Sequence, residues 1–398
     1  MSILVALFVS LSIAYMLSEL CKHLKLPRVI GQIATGILIG IPLIREYLWT
    51  AESIGALQSM ANIGFVLLLF FAGLETNFSR FVKNLKTGAS ISFFNTLIPF
   101  LAGFVITKLF GFSISTALVV GIAFAVSAAA VAIDVLEELR ILKTRFANTI
   151  MSVNAVDDII EFVFIALILA TSHILSNELN VLLLVIQMLV FLVSVVLFKS
   201  FIIPVILHTV EKEKSATALF YGAIVIALLM AALSDVLGFG SLIGALLAGI
   251  LVRAILLSKK ERRPWEEHEI AQTIHTITFG FFAPIFFISV GLNVNLLETF
   301  NIPFTLIIIV AALVTSLLGT VLGARVLGKN TREAWTMGLA FGNKGDTDLI
   351  VATIALQQGL ITQSIFTSIV LMGLSTTIIA TILFRIRLKK DCKYLKVC

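Results

Sequence analysis

The sequence predicts an all-α polytopic membrane protein, and three observations carry that prediction. Of the 398 residues, 59% are hydrophobic and 13% charged, with a mean hydropathy of +1.08; soluble domains average about 25% charge. The apolar residues run in continuous stretches of about 20, the length of a helix that crosses the hydrocarbon core. Barrel strands would instead show ~10-residue alternating segments. The basic residues, finally, segregate into alternate loops.

Thirteen stretches qualify, at 2–21, 27–45, 54–74, 88–109, 114–138, 147–171, 180–209, 216–233, 239–257, 270–292, 301–326, 334–358 and 362–386. All 29 lysines and arginines except Arg45, Lys108, Lys199 and Lys344 lie in or beside the loops after stretches 1, 3, 5, 7, 9 and 11, or in the tail. Cytoplasmic loops carry the excess of basic residues, so the pattern predicts an N-terminus outside and a C-terminus in the cytoplasm of the cell's inner membrane. The net charge of +6 is then topological and implies no nucleic-acid partner. The first stretch lacks the basic flank of a secretory signal, and no long polar insertion interrupts the membrane domain. Cys21, Cys392 and Cys398 all fall on the cytoplasmic side, where thiols stay reduced, and they lack metal-ligand spacing.

Two halves of the chain rhyme. Phe70-Phe71-Ala72-Gly73-Leu74 in stretch 3 matches Phe286-Phe287-Ile288-Ser289-Val290-Gly291-Leu292 in stretch 10. Thr35-Gly36-Ile37-Leu38 in stretch 2 matches Ala248-Gly249-Ile250-Leu251 in stretch 9, and Gly121-Ile122-Ala123-Phe124 in stretch 5 matches Gly338-Leu339-Ala340-Phe341 in stretch 12. The pairs are collinear and shifted by an odd number of stretches, which predicts inverted repeats. Repeat one is then 1–171, a linker helix 172–215, repeat two 216–386 and the tail 387–398.

Ionisable groups inside a span cost about 2.5–3.5 kcal/mol or more and mark function by default. Stretch 6 holds Asp157, Asp158 and Glu161. The two aspartates lie about 15–16 Å deep at 1.5 Å per residue, and Glu161 shares their helix face. Stretch 12 holds Lys344, Asp346 and Asp348 at similar depth, where Gly342-Asn343-Lys344-Gly345-Asp346 interrupts the helix. Adjacent carboxylates in a low dielectric titrate as a coupled pair. A cation competing with protons for their oxygens is itself an exchange mechanism, and hard oxygen ligands suit Na⁺, Li⁺ or K⁺. Asn154, one turn before Asp158, and Ser127 are candidate neutral ligands. No cofactor is implied beyond the transported ions. A channel-like cation pathway and a membrane enzyme are the competing classes; against the enzyme, no nucleophile–base pair or metal cluster is legible.

With these residues in hand, the chain resembles the monovalent cation:proton antiporters of the NapA and glutathione-gated potassium-efflux type. The resemblance spans nearly the whole chain. It rests on Asp157-Asp158 in the sixth of thirteen segments, Pro27-Arg28-Val29-Ile30-Gly31-Gln32, Phe71-Ala72-Gly73-Leu74-Glu75, Gly244-Ala245-Leu246-Leu247-Ala248-Gly249, the Phe286–Leu292 run and Lys344-Gly345-Asp346. It implies a homodimer whose protomers have a dimerisation half and a core of stretches 4–6 and 11–13, with broken helices 5 and 12 crossing beside the aspartates. It also implies Na⁺ (or Li⁺)/H⁺ exchange with Asp158 as main carrier and Asp157 its neighbour, with K⁺/H⁺ exchange the nearest alternative. The chain departs from the pattern at several points. Ser316 stands where many electrogenic relatives carry lysine, Val126-Ser127 replaces Thr-Ser, Glu161 replaces a small residue, and Lys344 replaces arginine.

Overall fold

The computed structural model describes all residues except 1–2, 76–77, 143, 177–188, 192, 212–215, 238–239, 259–271, 297–299, 346 and 392–398. Among the described residues every regular element is a helix. In order these are α1 (Ile3–His23), α2 (Arg28–Ile39), α3 (Pro42–Leu48), α4 (Ala51–Glu75), α5 (Phe78–Leu109), α6 (Ile114–Ala125), α7 (Ala129–Glu138) and α8 (Arg145–Ser176). Then follow α9 (Ile203–Glu211), α10 (Ala216–Val236), α11 (Ser241–Ser258), α12 (Ala283–Leu292), α13 (Ile302–Val326), α14 (Thr331–Phe341), α15 (Thr347–Gln357) and α16 (Gln363–Asp391). Short π-helical segments, Phe198–Ile202 and Thr278–Phe282, lead into α9 and α12.

The helices follow the predicted apolar stretches, and among the described residues seven helical runs, or eight if α2 and α3 form one broken span, are long and apolar enough to cross a membrane alone. Two of the predicted stretches are discontinuous in the backbone. Stretches 5 and 12 are each two half-helices, α6/α7 and α14/α15, separated by irregular backbone at 126–128 and from Gly342 onward.

Local chemistry sets several helix starts. Ser113 caps α6 by accepting from the Thr116 N–H at 3.1 Å. Asn301 caps α13 by accepting from the Phe304 N–H at 2.9 Å, with a proline in the first turn. Helix α13 displays the two environments of a membrane span. Leu306, Val310, Val314, Leu318 and Leu322 form an exposed apolar stripe, while Ile308, Ala312, Ser316 and Thr320 are fully buried. The apolar side is the solvent-facing side, as lipid requires, and the small and polar side faces protein.

The chain divides into two compact units. The first gathers 1–14, 41–76 and 169–289; the second gathers 15–40, 77–168 and 290–398. In the first unit, Gly73 of α4 and Gly249 of α11 meet backbone to backbone, so that a Cβ added at Gly249 would lie 2.9 Å from the Gly73 Cα. In the second unit, α7, α8, α14 and α16 share an apolar cluster that includes Leu136, Phe146, Ile150, Met337, Phe341 and Phe384. Helices α5 and α13 approach closely there, because a Cβ at Gly319 would stand 2.5 Å from the Phe94 carbonyl oxygen. That approach brings the next residue, Thr320, against Asn95 of α5.

Candidate ion-binding site

The site lies wholly in the second unit, where the two broken helices meet. The breaks touch directly: the Ala128 N–H donates to the Asn343 carbonyl at 2.9 Å. Breaking a helix exposes backbone carbonyls at one half's C-terminus and N–H groups at the other half's N-terminus, and in lipid these groups must find partners. Lys344 supplies one set. Its ammonium donates to the Val126 carbonyl at 2.6 Å and to the Phe124 carbonyl, both at the C-terminal end of α6. A buried cation at the negative end of a half-helix is electrostatically matched. Glu161 of α8 supplies the converse, accepting from the Ser127 N–H at 3.0 Å inside the break. Asp348 is buried in the first turn of α15, its carboxylate pressed against the bare Cα of Gly373. Asn343 is fixed by Thr381 of α16, which donates to its side-chain oxygen at 3.0 Å.

Asp157 sits at this junction, twelve residues or about 18 Å along α8 from Arg145, and is 3% exposed. Its carboxylate accepts only from neutral donors in the contacts described. Ser92 donates to one oxygen; to the other, Ser127 donates at 3.0 Å and the Asn95 amide at 3.3 Å. Asn95 is itself held, because the Thr320 hydroxyl donates to its Oδ1 at 3.0 Å. Ser92, Asn95, Ser127 and Thr320 are all buried. Helices α5, α8 and α13 and the α6/α7 break thus contribute to one polar network around a carboxylate.

The structure therefore brings together Asp157, Ser127, Glu161 and Lys344 from the sequence-predicted set. Asn154 lies one turn before Asp158 on α8 and is half-buried. The Asp158 side chain, Asp346, Cys392 and Cys398 lie outside the described residues. His275 is exposed and stacks on Phe279 with ring centroids 4.7 Å apart. Glu138, at the end of α7, is 43% exposed and pairs with Arg385 at 2.7 Å and Lys25 at 3.3 Å. Sequence reasoning missed Ser92, Asn95 and Thr320. The signal was present for the first two, which are polar residues at i,i+3 spacing inside an apolar stretch and so share one helix face.

A buried carboxylate ringed by hydroxyl and amide groups, at the meeting point of two discontinuous helices, is the architecture of a secondary transporter for a small cation. Comparison with known proteins narrows that class. The transmembrane sodium/hydrogen exchanger family profile matches residues 7–390, and the chain belongs to that family of membrane-embedded antiporters. It is 28% identical over 362 residues to an Na⁺/H⁺-K⁺ antiporter of Bacillus cereus, covering 91% of this chain and 90% of that one. It is 29% identical over 376 residues, 94% of each chain, to an Na⁺/H⁺ antiporter of Enterococcus hirae. The solved structure of a sodium proton antiporter from Methanocaldococcus jannaschii has the same fold, with a TM-score of 0.67 at 18% identity over 98% of this chain and 96% of that one.

Proposed function

We propose that this multi-pass membrane protein exchanges Na⁺ or Li⁺ for protons by alternating access, with Asp157 and Asp158 binding either the cation or protons. The observation that carries the reading is the fully buried Asp157, surrounded by neutral donors at the crossing of the two broken helices. Neutral donors support the ionised carboxylate without consuming its charge, so a monovalent cation or a proton remains free to neutralise it. Ser127 and Asp157 supply oxygen ligands; Lys344 and Glu161 satisfy the broken backbone and hold the crossing rigid; Asp348 sits in the first turn of the second half-helix as a counter-charge, and Asp346 is a further candidate for that role. Asn154 is a further candidate ligand.

The inverted-repeat plan is supported by a reciprocal contact. Gly73 packs on Gly249, and Gly291 packs on Gly36, with a Cβ at Gly291 only 2.7 Å from the Gly36 Cα. Exchanging the two halves maps one of these contacts onto the other. A homodimer in the cytoplasmic membrane, N-terminus outside, fits the family and the loop charges.

K⁺/H⁺ exchange is the second reading, favoured by the relative from B. cereus whose name includes K⁺. The test is reconstitution into proteoliposomes holding a pH dye. An external Na⁺ pulse should drive Na⁺ inward and protons outward, so the lumen turns alkaline; a K⁺ pulse should do so less. A larger response to K⁺ would transfer the assignment to the second reading. Cation flux without any pH change would defeat both.

A further inference from the structure

The polar network has more hydrogen-bond acceptors than it has protons at one point, and that point is Thr320. Its hydroxyl stands 3.0 Å from the Asn95 Oδ1 and 2.9 Å from the Ser316 carbonyl oxygen. A hydroxyl has one proton, so it serves one of these acceptors at a time. When it serves Asn95, the amide is fixed with its NH₂ toward Asp157 Oδ2 at 3.3 Å and Ser127 Oγ at 3.5 Å. An NH₂ group repels a cation, so this orientation belongs to the ion-free site. When the Thr320 proton turns to Ser316, the Thr320 oxygen becomes an acceptor. The Asn95 amide can then turn over, donate its N–H to Thr320 and present Oδ1 to the site. Thr320 and Asn95 thus stay hydrogen-bonded to one another in both states. Ser316 adds a further acceptor on the same face of α13, one turn earlier: its hydroxyl is fully buried with no hydrogen-bond partner among the described residues.

The dimensions suit an ion. Once the amide has turned, Asn95 Oδ1 takes the corner now held by the nitrogen. Three oxygens then form a triangle with edges of 3.0, 3.3 and 3.5 Å between Ser127, Asp157 and Asn95. Oxygens ligating a cation at about 2.4 Å in octahedral arrangement are spaced by roughly 3.4 Å. Glu161, which accepts from the Ser127 N–H, and Lys344, which donates to the Val126 carbonyl in the same break, are both engaged with backbone.

We propose that Asn95 is a cation ligand held in reserve, its side-chain amide turning over on ion arrival with the Thr320 hydroxyl as the toggle. The proposal rests on the Asp157/Asp158 reading above and adds a specificity-determining oxygen to it.

The test compares Asn95→Ala, Thr320→Val and Thr320→Ser in proteoliposomes, reading apparent KM, maximal rate and the Li⁺:Na⁺:K⁺ preference. Loss of one ligand should raise the KM for Na⁺ about tenfold in Asn95→Ala, with maximal rate within about threefold of wild type and an altered ion order. Thr320→Val should raise KM in the same direction, and Thr320→Ser should restore it. A purely structural role would lower rate and protein yield together while leaving KM and ion order alone, and that result overturns the proposal. Should Asn95→Ala fail to fold, the Val/Ser pair decides, supported by Na⁺-dependent thermal stabilisation in detergent, which Val should lose and Ser should keep. An Asp157→Asn/Asp158→Asn double variant separates the two claims. If it still exchanges, the acidic-pair reading falls; if it is inactive while Asn95→Ala and Thr320→Val keep wild-type KM and ion order, only the toggle falls.

Discussion

Replacing Lys344 by Met keeps the aliphatic stem and removes the ammonium. The Phe124 and Val126 carbonyls at the end of α6 then lose a charged donor in a fully buried position. A hydrogen bond to a charged group contributes about 1.5–3 kcal/mol, so the two together give about 3–6 kcal/mol. Buried Glu161 and Asp348 would also lose a neighbouring positive charge, which pushes the cost toward the upper end. In a detergent thermal melt this should lower Tm by at least about 5 °C. Lys344→Arg retains charge and donors and should recover most of the loss. A Lys344→Met protein melting within about 1 °C of wild type would show that the lysine does not hold the crossing together.

Gly319→Leu forces a side chain into the Phe94 backbone and should separate Thr320 from Asn95. Overpacking of this kind costs about 1–3 kcal/mol, so a lowered Tm and a raised cation KM should appear together in melts and transport assays. Glu138→Gln removes the charge from a carboxylate paired with Arg385 and Lys25, with substantial exposure on the glutamate and Lys25. Exposed pairs contribute under about 1 kcal/mol, so the melt should move by no more than about 2 °C and exchange should persist. Ser127→Ala deletes one Asp157 donor while keeping the backbone N–H that Glu161 accepts; the KM for Na⁺ should rise several-fold at near-normal stability.

Much of this architecture is legible in the sequence because lipid imposes a simple code. Apolar stretches locate the helices, loop charges predict their direction, and ionisable residues inside stretches 6 and 12 announce where the chemistry is. Lys344 and Glu161 stand out on that ground alone. What the sequence conceals is pairing between distant helices. Nothing in stretch 4 says that Ser92 and Asn95 turn toward Asp157, and nothing in stretch 11 says that Thr320 reaches Asn95. Those contacts depend on the close approach of α5 and α13, which Gly319 permits but does not announce. The break between α6 and α7 is concealed for another reason: a broken helix is continuous in hydropathy yet discontinuous in backbone, so stretch 5 reads as one apolar run and only the family resemblance implies its break. The partners of Glu138 are concealed in the same way, since Arg385 and Lys25 are remote from it in sequence.

The central claim is that the acidic pair on α8 is the shared seat of cation and proton. The most direct measurement is Na⁺-driven lumenal alkalinisation in proteoliposomes of Asp157→Asn/Asp158→Asn beside wild type, with protein incorporation and thermal melt matched. The account predicts a normal melt and a flat pH trace from the double variant. Alkalinisation at a rate within a few-fold of wild type would contradict it.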